Sequence, residues 1–170
     1  YLESIKTPDG KPVPVIFRPW HEHTRNFFWW GVDLCTVDQY KALWRMTYDY
    51  MTKDRGLDHL VWSYSPDAGG LFTYEDFGAK YPGDDIIDMV GIHFYQLPPA
   101  DMFIAKMKSS LDMTAAFAAE HGKLMAVTET GCEGIKNPKW WTEVLYPAIK
   151  DYPVSYVLTW RNACIFLEGL

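Results

Sequence analysis

The segment His121-Gly-Lys-Leu-Met-Ala-Val-Thr128 joins the end of a predicted helix to a predicted strand. The helix is predicted to begin near Asp101, and Gly122 is typical of the residue that follows the last helical turn. The next six residues form a near-continuous apolar run, which is typical of a strand in a parallel sheet covered on both faces. A helix followed by such a strand predicts an α/β fold.

The same order of elements recurs along the whole chain. We predict five strands, centred near residues 15, 60, 91, 125 and 157, whose spacing of roughly 30 to 45 residues is the size of a strand–helix unit. After the first strand, Thr36-Val-Asp-Gln39 has the form of a capping box, and the helix behind it ends near Gly56. Asn137-Pro138 predicts the start of a later helix that ends near Asp151.

Two α/β architectures fit this order: a doubly wound open sheet and a (β/α)8 barrel. The first strand ends in Arg18-Pro-Trp-His-Glu-His23, without the glycine-rich turn of a doubly wound nucleotide-binding domain. A barrel normally needs about 250 residues, and this chain has 170. We therefore expect a single partial (β/α)8 TIM-barrel domain over residues 1–170, with strands 4 to 8 present and the first three strand–helix units absent. Because a partial barrel has open sheet edges, we expect the rest in the parent polypeptide.

The composition limits the class of partner. The chain is 48% hydrophobic and 16% aromatic, with a net charge of −6, which is typical of a folded globular protein. The negative charge gives no electrostatic reason to bind nucleic acid or an anionic membrane, and the sequence contains no long apolar run that would span a bilayer. The three cysteines, Cys35, Cys132 and Cys164, fit neither a disulfide scaffold nor a zinc ribbon, so we interpret them as small buried residues.

In a barrel, functional side chains lie just past the C-terminal ends of the strands. The candidates at those positions are Arg18, His21, Glu22, Phe27 and Trp30 after the first predicted strand, Asp67 after the second, His93 and Tyr95 after the third, Glu129 after the fourth, and Trp160 and Arg161 after the last. We predict that the two glutamates are catalytic and that the other candidates contact the substrate.

Two of these candidates, Glu22 and Glu129, form the pair that glycoside hydrolysis needs. One carboxyl group must carry a proton for the leaving sugar, and the other must be ionised to attack the anomeric carbon. The aromatic run after Glu22 is expected to raise its pKa, whereas Tyr95 and Arg18 are expected to keep Glu129 ionised. Taken singly, each glutamate is by default interpreted as a solvated or ion-paired residue, and Asp67 as a residue of a Pro-Asp turn.

The sequence gives little indication of a metal or cofactor. His21 and His23 would share one face of a strand, but they have no third ligand at a typical spacing. The chain has neither a Gly-x-Ser-x-Gly nucleophile motif nor a phosphate-binding loop of the Walker form. We therefore expect neither a metal nor a cofactor.

Several segments resemble glycoside hydrolase family 26, the β-mannanase family of clan A. Arg18-Pro-Trp-His-Glu22, followed by Phe28-Trp-Trp-Gly31, is similar to its acid/base segment, and Thr128-Glu-Thr-Gly131 to its nucleophile segment. Gly91-Ile-His-Phe-Tyr95 and Thr159-Trp-Arg-Asn162 resemble the ends of its sixth and eighth strands.

The resemblance implies an endo-β-1,4-mannanase that works by double displacement with retention of configuration, without metal or cofactor. It also implies a β-mannan-type substrate, an extracellular or periplasmic location, and a monomer when the protein is full length. The roles it assigns are acid/base for Glu22, nucleophile for Glu129, a hydrogen bond to the nucleophile for Tyr95, a place beside the acid and the substrate for His21, the floor of the −1 sugar for Trp160, and contact with the −2 sugar for Arg161.

Three departures from the family pattern concern fine specificity. Phe27 lies where the family often has Trp, His93 lies where Asp is common, and Arg25-Asn26 replaces a stretch that usually contains Gly. Three alternative functions stay open at this point. They are the same chemistry on mixed-linkage β-glucan or β-1,3-xylan, a non-catalytic carbohydrate-binding protein, and an inert part of a barrel.

Overall fold

The sheet consists of five parallel strands that pair in the order of the chain. The computed structural model describes residues 1–71 and 73–160. The strands are β1 (Val15–Phe17), β2 (Leu60–Tyr64), β3 (Met89–Tyr95), β4 (Leu124–Gly131) and β5 (Val154–Thr159), in the order β1-β2-β3-β4-β5. Each strand therefore pairs with its successor, which is the order of a (β/α)8 barrel and not that of a sheet with a topological switch point.

Helices connect the strands. They are α1 (Val37–Asp49), α2 (Tyr74–Gly78), α3 (Ala100–His121) and α4 (Tyr146–Ile149). α1 continues as a π-helical turn over Tyr50–Asp54, and another π-helical turn, Trp141–Leu145, leads into α4. Short 3-10 turns lie at Leu2–Ser4 and Ala68–Gly70. Of the helices in the described residues, none has the length and hydropathy needed to cross a membrane.

The hydrophobic core lies between the sheet and these helices. Trp44 of α1 and Phe103 of α3 are fully buried, as are Val90 and Ile92 of β3. Phe103 stacks on Phe94 with ring centroids 5.6 Å apart. Burial of such rings is the largest apolar contribution to folding, and here it fixes the helices against the strands that support the polar end of the sheet.

The predicted strand positions are confirmed, and so are two helix boundaries. Thr36 accepts from the backbone N–H of Gln39 while the side chain of Gln39 accepts from the backbone of Thr36, so the capping box at the start of α1 is complete. Gly122 adopts a left-handed conformation with φ 63° at the end of α3.

Other boundaries differ from the prediction. The first strand is shorter than the apolar run that predicted it, because only Val15–Phe17 pairs with β2. Asn137 accepts from the N–H of Lys139 in a turn, and regular helix begins only after it. No helix was predicted at α2. Cys35 is buried as expected, Cys132 is partly exposed, and both are free thiols. Cys164 lies outside the described residues.

A β-bulge changes the register of β4 next to its polar end. Ile92 pairs with Val127, whereas the next residue, His93, pairs with Glu129, so Thr128 is the extra residue. Such bulges re-aim side chains at sheet edges and near active sites. This bulge places Glu129 directly beside His93 of the neighbouring strand.

Gly91 allows β3 and β4 to approach closely just before the bulge. A Cβ atom at this position would lie 2.5 Å from Thr128 Cγ2 and 2.7 Å from the carbonyl oxygen of Ala126. Only glycine fits without displacing β4, so the spacing of the two strands depends on it.

We predict that Thr36→Ala lowers the free energy of unfolding by about 1 kcal/mol. The change removes the hydroxyl that accepts from Gln39 and leaves a donor at the start of α1 without its partner. Thr36→Ser keeps that hydroxyl and is the matched control, expected to lie close to the wild type. Urea denaturation followed by circular dichroism measures both variants, and equal losses in the two would contradict this role for the cap.

Candidate active site

Polar side chains from four neighbouring strands converge at the carboxyl end of the sheet. Glu22 follows β1, Asp67 follows β2, His93 lies in β3 and Glu129 lies in β4. One carboxylate oxygen of Glu22, one of Glu129 and a ring nitrogen of His93 all lie within 4.8 Å of one another. The structure therefore brings together the two glutamates that the sequence singled out.

The turn that carries Glu22 has an unusual backbone conformation. Trp20 has φ 54° and Glu22 has φ 59°, in the left-handed region that non-glycine residues seldom occupy. Such a conformation costs roughly 1–3 kcal/mol per residue and persists only where surrounding contacts enforce it. One such contact is the hydrogen bond from the backbone N–H of Glu22 to the carbonyl oxygen of Ser65, 3.0 Å long. The turn is thus tied to the end of β2.

Burial raises the pKa of the Glu22 carboxyl group. The negative charges of Glu129 and Asp67 act in the same direction, whereas His93 and Arg18 oppose the shift. The direction agrees with the sequence-based expectation. At near-neutral pH, the environment of Glu22 therefore favours the protonated form more than water does.

The pKa of Glu129 is shifted in the opposite direction. Burial alone would raise it, but a hydrogen bond from the Tyr95 hydroxyl, the positive charge of Arg18 and the electrostatic effect of His93 together outweigh burial and lower it. Arg18 Nη2 lies 2.5 Å from Glu129 Oε2. Tyr95 and Arg18 therefore lie where the sequence analysis expected them, and both stabilise the carboxylate.

Ser65 completes the support of Arg18, and sequence reasoning missed it. Arg18 Nη1 donates to Ser65 Oγ at 3.3 Å, and Ser65 Oγ lies 2.5 Å from the hydroxyl of Thr128 in the bulge. Its position just past β2 was the available signal, but a serine before a proline is also an ordinary turn residue.

The two histidines on either side of Glu22 have different environments. The His21 ring packs beside Phe28 at 5.1 Å, and burial, with the nearby charge of Arg18, lowers the pKa of His21 to about 4. His23 is buried between two tyrosines: its Nδ1 lies 2.9 Å from the Tyr40 hydroxyl and its Nε2 lies 2.8 Å from that of Tyr64. Because both ring nitrogens of His23 are engaged, it does not form a metal pair with His21.

His93 and Asp67 also lie in contact with Glu22. His93 Nε2 is 2.9 Å from Asp67 Oδ2 and 3.1 Å from Glu22 Oε1. The other Asp67 oxygen, Oδ1, accepts from the backbone N–H of Gly69 at 2.6 Å. Asp67 is thus a turn residue, as one interpretation of the sequence had it, and also a partner of His93.

Aromatic side chains lie in the loop after Glu22 and at the end of β5. Trp30 Nε1 donates to the carbonyl oxygen of His21 at 2.8 Å, and the Phe28 and Trp30 rings are stacked with centroids 4.4 Å apart. Phe27 is 61% exposed and Trp160 is 57% exposed, so both present apolar surface to solvent. Arg161 lies outside the described residues.

Lys80 is a further buried group that the sequence did not single out. Its Nζ donates to the carbonyl oxygens of Cys35 at 2.7 Å and Gly31 at 3.1 Å, which lie beyond the aromatic run. It therefore fixes the loop that carries Phe28 and Trp30.

Within the described residues, the one group of side chains with the geometry to hold a metal ion is that of Glu22, His93 and Glu129. Arg18 and Tyr95 already contact both oxygens of Glu129, and His93 Nε2 already faces two carboxylates. The guanidinium charge would also repel a cation. We therefore interpret this group as two carboxyl groups held by neighbouring side chains, and not as a metal site.

The chain is similar in sequence and structure to known glycoside hydrolases. The model of glycosyl hydrolase family 26 matches residues 2–160. A mannan endo-1,4-beta-mannosidase from Bifidobacterium adolescentis is 31% identical over 177 residues, covering 94% of this chain and 18% of that protein. Another protein of that name, from Bacillus subtilis, is 36% identical over 155 residues, covering 87% of this chain and 39% of its own length.

The structure of a GH26 beta-mannanase from Bacteroides ovatus superposes with a TM-score of 0.91 at 47% identity, covering 95% of this chain and 46% of that chain. The chain thus spans less than half the length of each of these three relatives. The superposition confirms that the five strands form part of a (β/α)8 barrel.

We predict that Tyr95→Phe raises the pKa of Glu129. The variant loses the hydroxyl that donates to the carboxylate, and such a bond favours the ionised form. Carbon NMR titration of protein labelled at its glutamate carboxyl groups measures the change. Tyr81→Phe is the matched control, because Tyr81 donates to Asp84 at 2.9 Å and its loss leaves Glu129 unaffected. A Glu129 titration that is the same in Tyr95→Phe and the wild type would contradict this prediction.

Proposed function

The chain belongs to glycosyl hydrolase family 26, and from this premise we propose that the protein is a retaining endo-β-1,4-mannanase. Its substrates would be mannan, glucomannan or galactomannan, and the reaction would need no metal or cofactor. The observation that carries the proposal is the pair of carboxyl groups with oxygens within 4.8 Å of each other and with pKa values shifted in opposite directions.

The separation of the two groups favours retention of configuration. Retaining glycosidases hold their carboxyl groups about 5–5.5 Å apart, whereas inverting enzymes need about 6.5–9.5 Å to admit a water molecule. One oxygen of Glu22 lies within 4.8 Å of one oxygen of Glu129, which is too close for the wider inverting arrangement. This distance leaves room for direct attack on the anomeric carbon by one carboxylate while the other group touches the glycosidic oxygen.

In the first step, an ionised Glu129 oxygen attacks the anomeric carbon. The glycosidic bond breaks as Glu22 transfers its proton to the departing oxygen, which leaves a glycosyl ester on Glu129 and a carboxylate on Glu22. Arg18 and Tyr95 keep Glu129 ionised before the attack and release it as its charge disappears.

In the second step, water replaces the leaving sugar. Glu22, now ionised, takes a proton from the water molecule. The oxygen of that water attacks the anomeric carbon, and the ester bond to Glu129 breaks. Two inversions give a product with the starting configuration. Glu22 therefore returns to its protonated form and Glu129 to its ionised form.

We assign substrate contacts to the exposed and partly exposed rings around the pair. Trp160 at the end of β5 would carry the −1 sugar, and His21, Phe27 and Trp30 would line the cleft on the side of β1. Stacking on the flat C–H faces of sugars needs exposed rings, and Phe27 and Trp160 have them. Arg161 would reach the −2 sugar.

We also propose that the chain supplies strands 4 to 8 of its barrel and that three further strand–helix units complete the domain. In the described residues, β1 and β5 each pair on one side only, and closure would remove these open edges. The full-length protein would act as a monomer. Since polymeric mannan does not cross membranes, the enzyme would act extracellularly or in the periplasm.

We predict that Glu129→Ala lowers kcat for mannohexaose by at least about 10⁴-fold, because the nucleophile cannot be replaced by its neighbours. Glu120→Ala, on the outer surface of α3, is the control and is expected to match the wild type. Thermal melting of the full-length protein verifies that both variants fold.

Full turnover of mannohexaose by folded Glu129→Ala would contradict the assignment. A panel of mannan, mixed-linkage β-glucan and β-1,3-xylan separates the proposed substrate from the family's other backbones. Tight binding of mannan by the wild type without any hydrolysis would instead favour a carbohydrate-binding protein.

A further inference from the structure

The side chain of His93 lies between the carboxyl groups of Asp67 and Glu22, and we call these three side chains the row. His93 Nε2 is 2.9 Å from Asp67 Oδ2 and 3.1 Å from Glu22 Oε1. The side chain is 2% exposed. It therefore offers almost no surface to a sugar, although its position at a strand end first indicated a substrate contact.

The surroundings of the ring determine which nitrogen carries the proton. Nε2 faces two acceptors, Asp67 and Glu22, whereas Nδ1 is buried without a hydrogen-bond partner. A proton on Nδ1 would be an unsatisfied buried donor, and a bare Nε2 would be repelled by the Asp67 carboxylate. The network therefore assigns the proton to Nε2.

Backbone contacts hold the row in place. The N–H of His93 donates to the carbonyl oxygen of Pro66 at 3.1 Å, and His93 forms a parallel bridge with Asp67. The carbonyl oxygen of Asp67 in turn accepts from Thr24 Oγ1 at 2.8 Å. Since Glu22 is tied to Ser65, the partners come from fixed backbone, and only the hydrogen bond of Nε2–H is free to change.

We propose that His93 is a positioning residue that holds the acid/base Glu22 through both steps by sharing its Nε2–H between Glu22 and Asp67. This inference rests on the proposed function and assigns His93 a role other than sugar binding. When Glu22 is protonated, the N–H donates mainly to Asp67. When Glu22 becomes ionised after the first step, the same N–H is drawn to Glu22 and keeps its carboxylate in place for the second.

The charges around Glu22 determine how its titration responds to changes in the row. Among the described residues, the charged and titratable groups that face it are Arg18 on its own strand end, Asp67 after β2, His93 and Tyr95 on β3, and Glu129 on β4. His93 lowers the pKa of Glu22 and Asp67 raises it. Removing His93 should therefore raise the pKa of Glu22, and removing the charge of Asp67 should lower it.

The test uses His93→Gln and Asp67→Asn in the full-length protein. The pH profile of kcat/KM for mannohexaose loses activity on its basic side as the acid loses its proton. His93→Gln is expected to move this basic limb to higher pH, and Asp67→Asn to lower pH. His121→Gln is the matched control, because His121 pairs with Asp84 at 2.9 Å on the surface, and its profile should equal that of the wild type.

A substrate with a reactive leaving group separates positioning of the acid from binding of the sugar. For His93→Gln, kcat/KM for mannohexaose should fall about 10- to 100-fold, part of what general acid catalysis supplies. For 2,4-dinitrophenyl β-mannobioside, whose leaving group needs no proton, it should fall less than about threefold. Equal losses on both substrates with an unmoved basic limb would overturn the proposal and assign His93 to sugar binding or to structure.

Two further measurements keep the outcome decisive. If His93→Gln does not fold, Asp67→Asn alone tests the proposal, since an unmoved or upward-shifted basic limb would overturn it. If the wild type hydrolyses neither substrate, the proposed function fails. Carbon NMR titration of Glu22 in the wild type and Asp67→Asn then shows whether the row sets its ionisation, and equal titrations would overturn the inference independently.

Discussion

Two carboxyl groups in a partly buried site, with oxygens within 4.8 Å of each other, cannot both be ionised at little cost. Two negative charges at that separation repel by about 3 kcal/mol at an effective dielectric constant of about 20. The surrounding residues shift the pKa values of the two groups in opposite directions. Arg18 and Tyr95 contact Glu129 and lower its pKa, whereas burial raises the pKa of Glu22. The division of labour that glycoside hydrolysis requires follows from this asymmetry.

The fold supplies the asymmetry through backbone geometry. A bulge at Thr128 brings Glu129 beside His93, and a left-handed turn presents Glu22 from the first strand. Both features depart from regular structure, and both are held by contacts to the end of β2, where Ser65 contacts the hydroxyl of Thr128 and the backbone of Glu22. Strain at this end of the sheet is therefore compensated by hydrogen bonds that also set the electrostatics.

The sequence predicts the elements well and the fine geometry of the site poorly. Periodicity and caps are local signals, so five strands, the Thr36 cap and the end of α3 follow from short segments. The two glutamates and their partners Arg18 and Tyr95 follow from the rule that strand ends meet at one edge. The bulge and the left-handed turn carry no such local signal, because packing between strands imposes them. For the same reason, the sequence indicated His93 as a sugar contact, whereas the structure surrounds it with carboxylates.

We propose that Glu129 forms the covalent bond to the sugar, while Glu22 donates the proton in the first step and accepts it in the second. Incubation of the full-length protein with an activated 2-deoxy-2-fluoro-β-mannobioside slows the second step and traps the ester, and mass spectrometry of the digested protein locates it. The account predicts a single fluoro-mannobiosyl label on the peptide that contains Glu129, with loss of the label after addition of an acceptor sugar. A label on Glu22, or hydrolysis of natural mannan by a protein that the reagent never labels, would contradict it.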